Sequence, residues 1–195
     1  MSLSVVKYGE PVLRQKGARI ERMTPDLKKF IDQMFETMYH ARGLGLAAQQ
    51  VGRALQLTVL DIREATGRPS TLEIEGKTVD AADFMPLVLI NPEIKPLGEP
   101  VPGPEGCLSF PEIYCDITRP ESIEVKARNE KWEQISFRCG GLLARAIQHE
   151  YDHLQGILFI DRMTKEQKAE FKPELEALQA ETKAALAAKK RNGLQ

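Results

Sequence analysis

The spacing of apolar and polar positions predicts an amphipathic helix near the N-terminus. The stretch Thr24-Pro25-Asp26 is typical of a helix start, because it offers a hydroxyl cap, a proline at the first position and an acid at the positive end of the dipole. The apolar residues that follow at spacings of three and four are Leu27, Phe30, Ile31, Met34, Phe35 and Met38. Such a stripe indicates one core-facing side, and Gly43 ends the helix. His40, in the last turn, is expected to face the dipole rather than to bind metal.

Shorter apolar runs and alternating patterns predict strands further along the chain. They cover residues 55–62, 71–79, 85–90, 122–128 and 132–138. The last two flank Asn129-Glu130-Lys131 and predict a hairpin, and the weak pair at 71–79 turns at Glu75-Gly76. The polar stretch 63–84 as a whole is interpreted as a surface excursion. Residues 96–104, rich in proline and glycine, are interpreted as a stiff loop that leads to Cys107.

A helix carrying Gln148-His149-Glu150-Tyr151-Asp152-His153 is the strongest chemical signal. Four residues advance a helix by roughly 6 Å and just over one turn, so His149 and His153 share a face and can bind one metal ion. Glu150 can then act as general base on a metal-bound water. A solvated helix face is the plainer alternative, but two of only three histidines stand at ligand spacing around a glutamate. We expect Leu143, Ile147 and Leu154 to be buried, the histidines to emerge, and Gly156 to cap the helix.

Composition indicates one domain over residues 1–195, with 27 basic and 28 acidic residues and a net charge of −1. This balance gives no general attraction to DNA or membranes. The N-terminus lacks the apolar region of a secretory signal, and no stretch reaches the roughly 20 apolar residues of a membrane span, so a cytoplasmic protein is expected. Three cysteines, an odd number, favour a reducing compartment. Cys115 and Cys139 are interpreted as buried small residues.

The C-terminal region predicts further helices. Thr164 and Gln167 have the spacing of a capping box, and Pro173 interrupts the helix that they begin. Residues 174–195 favour a weakly amphipathic helix that projects from the domain, with Lys189-Lys190-Arg191 near its end. The segment from Gly43 to Gln50 is small and apolar until its end. Packing is slightly favoured for its glycines, and the Gln50 amide would suit an oxyanion.

Three ordered motifs resemble those of the peptide deformylase family: GLGLAAQQ at 43–50, EGCLS at 105–109 and QHEYDHL at 148–154. The similarity runs from about Lys7 to Met163, and the helical C-terminus is more similar to that of type 1 members than to that of members with an extended tail. It implies an α+β fold, with mixed or antiparallel β-sheets packed around a central metal-binding HExxH helix and a C-terminal helix. Cys107, His149 and His153 would be the ligands of one divalent metal, natively Fe(II), with Zn, Ni or Co able to replace it.

The resemblance also implies a reaction, the removal of formate from the N-formylmethionyl end of a nascent peptide. Glu150 would be base and then acid, while the Gln50 amide and the Leu108 N–H would stabilise the oxyanion. Leu44, Gly45 and Gly106 would contact the peptide. The methionine pocket would include Arg145 and Ala146, where many members have larger apolar residues. Glu105 or Asp152 could orient a ligand imidazole. Arg119 is a possible partner for either acid, and this choice stays open.

Two other functions compete with this interpretation. A zinc endopeptidase of the long-motif type would require a third histidine at position 159, which is Phe159. A non-catalytic module could bind nascent chains or the ribosome through the basic C-terminal helix. Glu150 argues against the second, because binding alone needs no base beside an open metal site. Ribosome docking through that helix remains a separate expectation.

Overall fold

The structure, a computed structural model, describes residues 2–192 and shows an α+β fold. The seven strands are β1 Gly45–Ala47, β2 Leu57–Leu60, β3 Ser70–Ile74, β4 Lys77–Val79, β5 Leu87–Cys107, β6 Phe110–Arg128 and β7 Gln134–Gly140. The four α-helices are α1 Pro25–His40, α2 Gly141–Leu154, α3 Lys165–Glu170 and α4 Lys172–Asn192. Short 3-10 helices connect several of them, including one at Ala48–Val51. No helix in the described part of the chain is long and apolar enough to span a membrane.

All seven strands form one sheet, in the order β1-β2-β5-β6-β7-β3-β4. Every pairing of these strands is antiparallel. This is one of the two arrangements, mixed or antiparallel, that the family resemblance implies. The predicted hairpin at 122–138 is confirmed as the contact between β6 and β7, with Val125 opposite Phe137. The strand pair around Glu75-Gly76 is confirmed as β3 and β4.

Helices α1 and α2 pack against opposite faces of the sheet at β2 and β5. Leu57 and Val59 belong to the core cluster of α1, while Leu60 belongs to the cluster of α2. Because side chains alternate between faces, a strand covered on both sides is apolar without interruption. This explains why all four residues of β2 are buried and why its sequence does not alternate.

The predicted loop at 96–104 is wrong, because these residues lie inside the long strand β5, and β6 pairs with them. Pro100, Pro102 and Pro104 occupy alternate positions, so their nitrogens, which lack a hydrogen, all face one edge of the strand. The opposite edge remains free to pair with β6, where Pro100 lies opposite Pro120. A proline-rich sequence is therefore compatible with a strand, and β6 begins at Phe110, twelve residues before the predicted strand at 122.

The excursion at 63–84 is likewise more than a surface loop. Strand β3 pairs with β7, and Leu72 is buried in the same cluster as Leu143 and Ile147 of α2. The segment thus extends the sheet and covers one side of α2.

The helix ends follow the capping signals of the sequence. Thr24 Oγ1 accepts a hydrogen bond from the Leu27 N–H at 3.1 Å. Thr164 and Gln167 form the predicted reciprocal cap of α3. Gly156 follows α2 with a φ of 74°, a left-handed conformation that favours glycine.

The C-terminal helix packs against the domain over its first half, so the predicted projection describes only its second half. Leu175 and Leu178 contact the cluster that contains Leu13 and Phe159, and Thr182 is 7% exposed. From Lys183 to Arg191 nearly every residue is exposed. The last three residues of the chain lie outside the described part.

Candidate metal-dependent active site

The HExxH segment lies in the second half of α2, and its functional side chains are buried. His149, Glu150 and His153 are 8%, 4% and 1% exposed. Leu143, Ile147 and Leu154 are buried as predicted, but the histidines do not emerge into solvent. His153 lies next to Cys107 at the end of β5, and His149 and Glu150 line the wall of a cavity.

Cys107, His149 and His153 bring their ligand atoms together. One sulfur and two ring nitrogens lie within 4.8 Å of one another, and Cys107 Sγ is 3.3 Å from His153 Nε2. Cys107 is the last residue of β5, so the long strand, rather than a loop, positions it. His40, Cys115 and Cys139 lie outside this group. A Cys/His/His donor set with space for a further ligand fits a catalytic divalent metal.

Glu105 holds the first histidine in place. The Nδ1 of His149 lies 2.9 Å from Glu105 Oε2, so this ring nitrogen donates to the carboxylate and leaves Nε2 for a metal. The alternative orienting acid, Asp152, instead accepts from Arg119 at 2.8 Å and from Arg162 at 2.5 Å. The Nδ1 of His153 has no hydrogen-bond partner among the described residues. His149 is thus oriented by a carboxylate, whereas His153 has no such partner among the described residues.

Two buried arginines surround Glu105. Arg119 binds it through Nε at 2.6 Å and Nη2 at 2.9 Å, and Arg145 binds it through Nη1 at 2.9 Å. Burial raises the pKa of Glu105, but the hydrogen bonds of His149 and Arg119 outweigh it and lower the pKa to about 2. Glu105 is therefore a fixed negative charge behind the site.

The histidine pKa values shift in opposite directions. Burial lowers the pKa of His149, but hydrogen bonds with Cys107 and Glu105 outweigh burial and raise it well above its usual range. Burial and the positive charge of His149 hold the pKa of His153 well below its usual range. His153 is thus neutral and ready to coordinate, whereas His149 must release a proton from Nε2 when a metal binds.

Hydrogen bonds hold the Arg145 side chain in place, which its position in the sequence does not indicate. Besides Glu105, it donates to the carbonyls of Ile117 at 2.6 Å, Val101 at 2.9 Å and Gly103 at 3.3 Å. These bonds join α2 to the β5–β6 pair, and the residue is only 9% exposed. Its side chain forms part of the cavity wall, with its guanidinium group already occupied.

Glu150 is buried, and the nearby His149 charge and the Ala47 N–H only partly offset the effect of burial on its pKa. Burial raises its pKa to about 7, and its Oε2 atom has no hydrogen-bond partner among the described residues. A Cβ atom placed on Gly45 would lie 2.5 Å from Glu150 Oε1, so only glycine allows β1 to approach the carboxylate this closely. Glycine is therefore needed at position 45 because of its contact with Glu150, the candidate base. The sequence alone could not reveal this contact. A carboxyl group with a pKa near neutrality can accept and return a proton at physiological pH.

The two predicted oxyanion donors lie beside Cys107. Gln50 Oε1 accepts from the Ala47 N–H at 2.8 Å, which directs the Gln50 Nε2 group to within 3.5 Å of Cys107 Sγ. Leu108 follows Cys107 in the turn between β5 and β6. The Lys7 ammonium donates to the Leu108 carbonyl at 2.9 Å.

A cavity of about 530 Å³ opens over these groups. Every predicted substrate-contacting residue lines it: Leu44, Gly45, Gly106, Arg145 and Ala146. The reactive groups Gln50, Cys107, Leu108, His149 and Glu150 share its wall. Lys7 also lines the cavity, and no sequence pattern indicates it, because a lone lysine near the N-terminus belongs to no motif.

The third residue of the candidate ligand group is Cys107, which argues against the endopeptidase pattern. Phe159, which occupies the position of the histidine that this pattern needs, is buried and packs edge-on against Phe110, with ring centroids 5.1 Å apart. A Cys/His/His donor set beside a buried carboxylate, open to a cavity, instead defines a hydrolase with a metal-assisted catalytic site.

Comparison with known proteins narrows this class to one family. The polypeptide deformylase family model matches residues 2–169. A peptide deformylase of Opitutus terrae is 44% identical over 187 residues, covering 95% of this chain and 97% of the relative. The crystal structure of Arabidopsis thaliana peptide deformylase 1B with an inhibitor is similar with a TM-score of 0.80 and 41% identity, covering 94% of this chain and 93% of that one. A Synechococcus elongatus peptide deformylase in complex with actinonin has a TM-score of 0.73 and 39% identity, covering 92% and 85%. The chain belongs to the peptide deformylase family.

Proposed function

We propose that this protein removes the formyl group from the N-terminal methionine of nascent polypeptides and releases formate. The observation that carries this function is the convergence of Cys107, His149 and His153 beside the buried Glu150, at the wall of a peptide-sized cavity. Because the chain belongs to the peptide deformylase family, we infer that the substrate of this site is a formylated peptide.

The donor set fits one divalent metal. Membership of the family implies that this metal is natively Fe(II), and that Zn, Ni or Co could take its place. Bound by Cys107, His149 and His153, the metal would acidify a water molecule and polarise the formyl oxygen. Glu150 would accept a proton from the attacking water and later deliver it to the leaving amine. The Gln50 amide and the Leu108 N–H donate to the oxyanion that forms at the formyl carbon. Neutral donors suit this position because they leave the charge of the site unchanged.

The cavity wall indicates how the peptide is held. We assign backbone contacts with the peptide to Leu44 and Gly45, at the start of β1, and to Gly106, near the end of β5. Ala146 leaves room for the methionine side chain, and its neighbour Arg145 forms part of the same wall. Because Arg145 is bound to Glu105 and three carbonyls, we expect it to shape the pocket without pairing with a substrate charge.

The C-terminal helix supports a second part of the proposal, docking at the ribosome in the cytoplasm. Its exposed half ends in Lys189, Lys190 and Arg191, which would attract RNA phosphates. Truncation after Thr182 keeps the half that packs on the domain. The truncated protein should retain deformylase activity and lose co-sedimentation with ribosomes. Unchanged co-sedimentation would refute docking through this helix.

Formate release from formyl-Met-Ala-Ser tests the main proposal. The protein would be purified without oxygen, and metal content would be measured on the same sample. We expect formate release in proportion to bound metal and loss of release after chelation. A fully metal-loaded protein that released no formate would contradict the proposed function.

A further inference from the structure

Leu108 and Ser109 form a two-residue turn, since Cys107 and Phe110 on either side of them are paired. The backbone groups at the tip of such a turn need partners outside the hairpin. Here the Lys7 ammonium donates to the Leu108 carbonyl at 2.9 Å, and the Tyr8 N–H donates to the Ser109 carbonyl at 2.9 Å. Both partners come from the N-terminal segment Val6–Tyr8.

The same segment also reaches the other proposed oxyanion donor. The N–H of Val6 donates to the Gln50 carbonyl at 2.9 Å. The Tyr8 ring stacks on Phe110, with ring centroids 4.8 Å apart, which holds the segment against the start of β6. Three consecutive residues therefore fix the backbone at Gln50 and at Leu108, two positions 58 residues apart in sequence.

We propose that the N-terminal segment Val6–Tyr8 positions the two oxyanion donors, and that Lys7 is the positioning residue for the Leu108 N–H. This inference rests on the proposed deformylase function. An oxyanion donor contributes most when its direction is fixed before the reaction begins. By holding the carbonyl of Leu108, Lys7 restricts rotation of the residue whose N–H faces the oxyanion. Its ammonium group acts through this backbone and is not assigned a bond to the substrate.

The effect of Lys7 should appear in the chemical step. Lys7→Met keeps the aliphatic chain and removes the donor. We expect it to lower kcat by about tenfold, less than the roughly 100- to 1,000-fold that loss of an oxyanion donor itself costs. KM should change by less than about twofold, since only transition-state binding is weakened. Lys7→Arg, which restores a cationic donor, should recover most of kcat. Lys28→Met, at an exposed lysine of α1, is the matched control.

The measurements are kcat and KM for formyl-Met-Ala-Ser, metal content and the thermal midpoint of each variant. A fall in kcat at unchanged metal content and midpoint, with recovery in Lys7→Arg, supports the proposal. A Lys7→Met enzyme with wild-type kcat would overturn it, and so would a loss of kcat that tracks lost metal or a lower midpoint. A metal-loaded wild-type protein without activity would overturn the proposed function and the role of Lys7 together. That outcome can be distinguished from the others because the control variant Lys28→Met would then release no formate either.

Discussion

Glu105 and Glu150 are both buried beside the first ligand histidine, yet their surroundings drive their charges apart. Glu105 receives hydrogen bonds from His149, Arg119 and Arg145, and its pKa falls to about 2. Glu150 has one oxygen without a partner among the described residues, and burial raises its pKa to about 7. One carboxylate keeps its charge at any physiological pH, whereas the other can exchange a proton. Because the two side chains have the same chemistry, we propose that their different environments suit Glu105 to orient His149 and Glu150 to act as acid and base.

The catalytic role proposed for Glu150 requires a metal bound by Cys107, His149 and His153. Cys107→Ala removes one of three ligands, so metal content should fall close to zero and formate release should disappear with it. Cys139→Ala is the matched control, because Cys139 is buried elsewhere and burial raises its pKa to about 12. Metal analysis of both purified variants checks this. A Cys107→Ala protein that still binds one metal per chain would contradict the ligand assignment.

The position of the Glu150 carboxylate can be tested by a substitution at Gly45. Gly45→Ala would place a Cβ atom 2.5 Å from Glu150 Oε1 and force the carboxylate aside. Since a displacement of about 1 Å can cost 100-fold, kcat should fall by about 100-fold with metal retained. The same substitution in a Glu150→Gln background should cost far less. If the two losses instead multiplied, Gly45 would act independently of Glu150.

The proposal that Glu105 orients His149 can be tested by a substitution at Glu105. Glu105→Gln removes the charge that His149 Nδ1 and Arg119 bind, and loss of such an outer partner typically costs about 10- to 100-fold in metal affinity. Competition with a chelator measures the affinity directly. Activity should return at high metal concentration. Unchanged affinity would mean that Glu105 does not orient the ligand.

The smallest expected effect is a change in stability with pH. Burial raises the pKa of Glu150 from its ordinary value of 4.5 to about 7, so the folded state binds this proton more tightly than the unfolded state. The buried carboxylate therefore costs stability increasingly as pH rises from 4.5 through 7. In the metal-free protein, Glu150→Gln should raise the free energy of unfolding by about 3 kcal/mol at pH 8 and by less at pH 5. Urea denaturation at the two pH values checks this, and an equal gain at both would contradict the raised pKa.

The helices and the paired residues show what the sequence could and could not predict. The start of α1 and the cap of α3 are local signals, and each is found in the structure where predicted. The residues of the HExxH segment lie in α2. The prolines of β5 led to the wrong prediction of a loop. Proline fits a strand when its nitrogen faces away from the paired neighbour, and the sequence does not show which edge is paired. The choice of Glu105 over Asp152 stays open in the sequence, since Glu105 meets His149 across 44 residues. Lys7 shows the same limit, as its partner Leu108 lies 101 residues away.

Formate release by Glu150→Gln, with metal content determined on the same sample, tests the assignment of Glu150 most directly. Glu121→Gln, at an exposed glutamate of β6, is the matched control. A Glu150→Gln protein with a full complement of metal and a kcat lowered by about 100- to 10,000-fold is the expected result, the range that a general acid and base contributes. A metal-loaded Glu150→Gln protein that deformylates at a near wild-type rate would contradict the assignment.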